Sequence, residues 1–335
     1  MSRRLADVAR KVGVSEATVS RVLNEKPGVS ESTRQAVLTA LDVLGYERPS
    51  KLRGERARLV GLFLPELQNP IFPAFGEVVG VALAQHGYTP VLCTVTAGGI
   101  SEADYLELLL QQHVSGVVFA GGQYTQQDAP HDHYRRLIDL RLPTVVTNAP
   151  IPGLGFATVS TDDAVALEQA WGHLVQLGHD RIGLLLGPAD HVPSLRKLAA
   201  ADRLAGDGGF PRELVAHSQY SLEAGQAAAT RLLRAGVTAI VCASDPLALG
   251  AIRAVKRAGL TVPGDVSVIG YDDSALMTST DPPLTTVRQP IEVMGRMAID
   301  LLVAQIDGTA ADPDEYFFEP ELVVRGSTGP ARPRA

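Results

Sequence analysis

The amino-acid sequence predicts an α/β protein made of a small all-helical head and a much longer body built on parallel sheets. Three observations carry that prediction. Apolar residues recur with a helical period through residues 1–46, short apolar runs alternate with helical patterns from Leu59 onward, and a basic, proline-broken stretch separates the two. At 335 residues the chain exceeds the usual size of one hydrophobic core, so at least two domains are expected.

The head reads as three short helices. In "LADVARKV", Leu5, Val8, Ala9 and Val12 fall at i, i+3, i+4 and i+7 and make one apolar stripe, and Gly13 stops the helix. Ser15 is placed to cap a second helix in which Val19, Val22 and Leu23 face inward. Pro27 and Gly28 break the chain. Ser30 can then cap a third helix, with Val37, Ala40, Leu41 and Leu44 as its buried stripe and Gly45 as its end. The few residues around Gly13 suit the tight turn of a helix-turn-helix, whose second helix enters the DNA major groove with its N-terminal residues toward base edges.

Glu16, Ala17 and Arg21 hold those positions. A guanidinium can bond bidentately to guanine, a methyl group can contact thymine, and a carboxylate can accept from the cytosine amino group. Glu16 has a competing explanation, since an acid in a first turn is stabilised by the helix macrodipole whatever lies beyond it. Ser15, Thr18, Asn24, Ser30 and Thr33 carry hydroxyl or amide groups suited to phosphate contacts, although several of them also cap helices.

The formal net charge of -7 argues against a polyanionic partner only if it is evenly spread, and it is not. Residues 1–58 hold twelve basic side chains against seven acidic ones, so the head is basic and the body acidic. The longest apolar runs, such as "RIGLLLG" and "SGVVFAGG", fall short of the roughly 18 residues of a membrane-spanning helix. "MSRRLADVARKVG" has no apolar stretch followed by a small-residue cleavage site, so a cytoplasmic protein is expected, nucleoid-associated when on DNA. Cys93 and Cys242 sit in apolar runs and read as small core residues.

In the body, the candidate strands "LVGLFL", "TPVLCTV", "SGVVFAG", "PTVVTNA", "RIGLLLG", "TAIVCAS" and "DVSVIGYDD" alternate with helical stretches such as "AFGEVVGVALAQHG" and "PLALGAIRAVKRAG". There is length for two parallel sheets. The strands end in polar or glycine-rich residues, "PELQNP", "AGGQY", "TNA", "ASD" and "YDD", and open α/β sheets bind ligands beyond those carboxyl ends. The glycine pairs Gly98-Gly99 and Gly121-Gly122 complete no nucleotide-binding fingerprint. "HDHY", with His131 and His133, reads as a polar loop, and the adjacent Asp272 and Asp273 point to opposite faces of a strand. No catalytic residue, metal or cofactor is therefore expected, and the protein is not read as an enzyme.

"LADVARKVGVSEATVSRVLNEKPGVSESTRQAVLTALDVLGY" resembles the N-terminal DNA-binding domain of the LacI/GalR family of bacterial transcription regulators. "LGHDRIGLLLGP", "ALGAIRAVKRAGLTVPGDVSVIGYDD" and "PPLTTVRQP" resemble the effector domain of the same family, which is similar to periplasmic sugar-binding proteins. The resemblance implies a helix-turn-helix domain over 1–46, a hinge over 47–58 and an effector-binding and dimerisation domain over 59–328. The last would comprise one subdomain of about 59–158 and 291–317 and a second of about 159–288 and 318–328, followed by a tail at 329–335.

By the same resemblance, Leu52 in "ERPSKLRGERAR" is the residue that wedges into the minor groove; the competing reading packs it on the body. This linker is a few residues shorter than the family's hinge and its proline is displaced. Ile71, Phe72, Gly122, Asn148, Lys197, Tyr220, Ser244 and Asp272 would line an effector cleft, with Arg196 as an alternative cationic contact. Ala200 and Ala201 stand where the family has a glycine–aromatic pair. "GYERPSKLR", "PELQNPIFPAF" and "SEADY" look most like actinobacterial regulators of maltose, cellobiose or related oligosaccharide uptake.

The resemblance thus implies a repressor of sugar uptake or catabolism genes that binds double-stranded operator DNA and a small saccharide. A stand-alone sugar receptor and a sugar-responsive activator are the alternatives. The end of the chain, "ELVVRGSTGPARPRA", has no heptads, so a homodimer on a pseudo-palindromic operator is expected rather than a tetramer, and no membrane partner.

Overall fold

The computed structural model describes residues 8–23, 26, 28–43, 58–95, 98–310 and 313–332. The chain divides into two units, Met1–Arg58 and Leu59–Ala335.

In the first unit, residues 8–12 close helix α1, followed by α2 (Glu16–Leu23) and α3 (Glu31–Val43). Gly13 adopts φ +73°, and the amides of Gly13 and Val14 both donate to the Ala9 carbonyl, which ends α1 as only a residue without a Cβ does cheaply. Ser15 Oγ accepts the Thr18 amide at 3.1 Å and Ser30 Oγ the Thr33 amide at 3.2 Å, so both serines cap the helices they precede. Val8, Ala9, Val19, Val22, Val37, Leu38 and Ala40 form the core. Leu38 is an addition to the expected stripe of α3; Leu44 lies outside the described residues.

The second unit holds two six-stranded sheets. The first orders β11 (Glu315–Phe318), β5 (Ala157–Thr161), β4 (Thr144–Thr147), β3 (Gly116–Phe119), β1 (Leu59–Leu64) and β2 (Thr89–Thr94), all parallel. Helices α4 (Ile71–Gln85), α5 (Glu102–Gln111), α6 (Asp132–Asp139) and α11 (Ile291–Ile306) belong to this lobe. The second sheet orders β12 (Glu321–Val323), β10 (Thr285–Arg288), β9 (Ser267–Asp272), β8 (Ala239–Cys242), β6 (Ile182–Leu186) and β7 (Val215–His217), with β12 alone antiparallel. Its helices are α7 (Asp163–Gln176), α8 (Val192–Ala205), α9 (Leu222–Arg234) and α10 (Asp245–Arg257).

Central strands such as β3, β4 and β6 are buried at every position, because helices cover both faces of a parallel sheet. The chain crosses between the lobes three times, around Asp162, at Gln289–Pro290 and at Glu319–Pro320. The first crossing falls later than the boundary near 158 expected from the sequence. β5 stays in the first sheet through Thr161, and only then does Asp162 Oδ1 accept the amides of Ala164 and Val165 to start α7. "HDHY" is not a loop: Asp132 opens α6, and Tyr134 is fully buried.

Candidate functional site

The head and the body each present a candidate surface. In the head, α2 buries Val19 and Val22, which turns Glu16, Ala17 and Arg21 outward, and all three are exposed. Glu16 is also the first-turn acid of α2, so its dipole role and an outward side chain coexist. The hydroxyls of Ser15 and Thr18 lie 2.9 Å apart, and those of Ser30 and Thr33 2.8 Å apart, so each pair stands at a helix start where amide groups also point outward. Asn24 and Leu52 lie outside the described residues.

In the body, the carboxyl ends of the two sheets border a cavity of about 940 Å³, at the upper end of the roughly 300–1,000 Å³ usual for small-molecule sites. Ile71, Phe72, Gly122, Asn148, Lys197, Tyr220, Ser244 and Asp272 all line it. Each stands at or just beyond the end of a strand or in the first turns of a helix. Asn148, after β4, takes φ +64°, and Asp272, at the end of β9, takes φ +118°. Non-glycine residues held there carry backbone strain of about 1–3 kcal/mol each, which the surrounding bonds must offset.

Those bonds are visible for Asp272. Asn69 Nδ2 donates to one carboxylate oxygen at 2.9 Å and Gln289 Nε2 to the other at 2.7 Å. Burial raises the Asp272 carboxyl well above the ordinary range, nearby Asp245 adds to the rise, and the two amide bonds oppose it. Because Asn69 follows β1 in the first lobe, this carboxylate also joins the two lobes. Lys197 is buried with its ammonium ion-paired to Asp163 and 4.0 Å from the centre of the Tyr271 ring. Burial pushes the Asp163 carboxyl up while Lys197 pulls it down. Tyr220 bonds His191 Nδ1 at 3.1 Å, and burial together with nearby Lys197 holds that imidazole down to about 4, so it is neutral near pH 7. Ser244 caps α10 by accepting the Leu247 amide at 3.3 Å.

Arg196 is the exception. One position along α8 from Lys197, it turns about 100° away from the cavity. It forks onto both carboxylate oxygens of Glu315 at 2.8 Å and lies 5.4 Å from the centre of the Phe317 ring, so it is not a cavity contact. It joins α8 of one lobe to β11 of the other. A third tie between the lobes runs from the Gln127 amide to the Asp190 carbonyl at 3.0 Å, beside a bridge between Gln126 and His191.

The structure adds cavity residues that the sequence did not single out: Asn69, Glu102, His191 and Gln289. Asn69 lies in the strand-end stretch "PELQNP", where its position was the available signal, and Gln289 lies in "PPLTTVRQP", quoted only for its resemblance to the effector domain. Glu102 follows the α5 cap Ser101 and looks like an ordinary first-turn acid. It is nonetheless buried and accepts hydrogen bonds from the Tyr134 hydroxyl and the Gln123 amide, with His133 Nε2 at 2.9 Å.

Comparison with known proteins follows this division of the chain. Residues 4–49 match the model for bacterial regulatory proteins of the lacI family, and residues 171–328 match a periplasmic binding protein-like domain. The HTH-type transcriptional regulator reg1 of Streptomyces lividans is 52% identical over 99% of this chain and 98% of its own length. The HTH-type transcriptional regulator MalR of Streptomyces coelicolor is 51% identical, with the same coverage of both chains. Among solved structures, a complex of the transcriptional regulator CelR with cellobiose superposes with a TM-score of 0.72 at 34% identity, covering 96% of this chain and 99% of that one.

Proposed function

This chain belongs to the lacI family of bacterial regulatory proteins, and from that premise we propose that it is a saccharide-controlled repressor of genes for sugar uptake or breakdown. It is a DNA-binding transcription regulator, not an enzyme. The head, residues 1–46, reads a pseudo-palindromic operator as a homodimer, with Glu16, Ala17 and Arg21 toward base edges and Ser15, Thr18, Asn24, Ser30 and Thr33 toward phosphates. Residues 47–58 form the hinge, with Leu52 as its minor-groove wedge. The regulator works in the cytoplasm, on the nucleoid when bound to its operator.

The observation that carries the effector reading is the cavity shared by the two lobes. Asp272, Asn148 and Lys197 supply acceptors and donors for hydroxyl groups, and Phe72 and Tyr220 supply apolar faces for sugar rings. The CelR neighbour, solved with cellobiose, favours a ligand of disaccharide size. Regulation follows from a ligand that binds one arrangement of the lobes better than another and so biases the spacing of the heads. Asp272, tied to Asn69 across the cavity, is the group through which occupancy reaches both lobes at once.

The test is a thermal-shift screen against mono- and oligosaccharides followed by operator-binding assays. A ligand at a hundredfold excess over its Kd adds about 2.7 kcal/mol to folded-state stability and raises Tm. A saccharide that raises Tm and lowers operator affinity supports the reading. Stabilising saccharides that leave operator affinity unchanged contradict it.

A further inference from the structure

The cavity contains carboxylates in excess and no uncommitted cation among its described lining residues. Glu66, Glu102, Asp163 and Asp272 line it against Lys197 alone; burial favours the neutral form of Asp272, so the excess rests on Glu102 and Glu66. Lys197 is already neutralised by Asp163, and Arg196, its neighbour, is engaged by Glu315 outside the cavity. His191 contributes no charge near pH 7. The helix starts at the wall follow the same pattern. Helices α5, α7, α9, α10 and α11 each carry an acid in the first turn, which satisfies the partial positive charge there. Of the two without one, α4 opens with Ile71 and Phe72, and α8 has Pro193 in its first turn, which removes an amide donor.

One backbone feature could still hold an anion. The turn after β3 runs through Gly121 at φ +148° and Gly122 at φ +152° to the Gln123 amide, a backbone donor at the cavity wall. Here the Glu102 carboxylate lies against that turn. It accepts the Gln123 amide at 3.4 Å, and it sits so close that a Cβ on Gly122 would collide with it. Tyr134 and His133 hold it there from behind.

We propose that the cavity selects uncharged ligands, and that Glu102 enforces the selection by filling, with the protein's own carboxylate, the place where a ligand phosphate or carboxylate would sit. The proposal rests on the saccharide reading for the ligand scaffold and narrows it to neutral sugars, excluding sugar phosphates and sugar acids. A neutral polyol loses nothing by this arrangement, since its hydroxyls donate to carboxylates. An anion meets repulsion in a site where charges are poorly screened.

Calorimetric titration of the full chain with paired probes tests it: maltose against maltose 6′-phosphate, trehalose against trehalose 6-phosphate, cellobiose against cellobionate, and inorganic phosphate alone. The expected result is that any pair that binds favours its neutral member by at least tenfold. Glu102→Gln should shrink that ratio at least tenfold by strengthening the anionic member. An anionic member that matches or exceeds its neutral partner overturns the proposal. So does an unchanged ratio in a folded Glu102→Gln protein.

Glu66→Gln removes a second lining charge without touching the Tyr134 and His133 bonds, and should shrink the ratio by a smaller factor if Glu102→Gln does not fold; no change there counts against the electrostatic account. If no sugar of either charge binds, the saccharide reading fails separately. The phosphate titration still decides the exclusion: phosphate binding that tightens in the glutamine variants supports it, and equal binding by all three proteins overturns it.

Discussion

The head and the body hold their candidate binding residues in opposite ways. In the head, Glu16, Ala17 and Arg21 lie exposed on the outer side of a helix whose inner side buries Val19 and Val22. In the body, Lys197 and Asp272 are buried, already paired within the protein, and in the case of Asp272 held on strained backbone. The difference teaches what each surface does before its ligand arrives. A DNA-reading helix can leave its side chains in water, because the duplex supplies their partners. Buried polar groups must be satisfied within the protein first, so an effector there exchanges partners rather than finding free ones.

Four substitutions or conditions would break or sharpen that contrast. Asp272→Ala should have the largest effect: losing a buried acceptor and stranding Asn69 and Gln289 should weaken effector binding by about 2–5 kcal/mol. Operator binding without effector should persist. Wild-type induction by the same ligand in a reporter strain would place the effector elsewhere.

Next is acid. His191 is neutral in the folded body down to about 4, but takes up a proton near 6.5 when unfolded. The stability tied to its neutral form is complete above pH 6.5 and is lost as pH falls toward 4, by at most about 3 kcal/mol. Urea midpoints measured across that window should fall with pH, and His191→Gln should flatten the slope; an equal slope in both proteins would assign it to other groups.

Arg21→Ala should cost about 1–3 kcal/mol on operator and less on random DNA, with Tm unchanged because the side chain is exposed. Equal loss on both DNAs in a gel-shift series would make Arg21 a backbone contact. Smallest is Ser15→Ala, which removes the α2 cap and should cost the head about 1 kcal/mol, read as weaker protection of α2 amides in hydrogen exchange. No change there would mean that water replaces the cap.

Much of this was legible in the sequence because periodicity and caps are local. The three head helices, the capping roles of Ser15 and Ser30, and the strongly apolar strands β1, β3, β4, β6, β8 and β9 could all be read from neighbouring residues. The strands that escaped detection were polar or short. β5, "ATVST", buries Thr158, Ser160 and Thr161 completely, and only the adjoining β11 explains how Ser160 is satisfied, through Glu315. Two details of the cavity escaped for the same reason, although eight of its lining residues were named from the family resemblance. Whether Arg196 or its neighbour Lys197 faces inward depends on Glu315, more than a hundred residues away. Glu102 is an ordinary helix-start acid until α6 places Tyr134 and His133 behind it.

The final stretch after α11 gives one strand to each sheet, β11 at the rim of the first and β12 at the rim of the second. A stop codon just past Ile306 would therefore unzip an edge from both lobes in one event and remove Glu315, the anchor of Arg196. A tag or fusion added beyond residue 332 would disturb neither rim. Residues 307–335, about a twelfth of the sequence, thus carry a rim of each lobe and one of the ties between them.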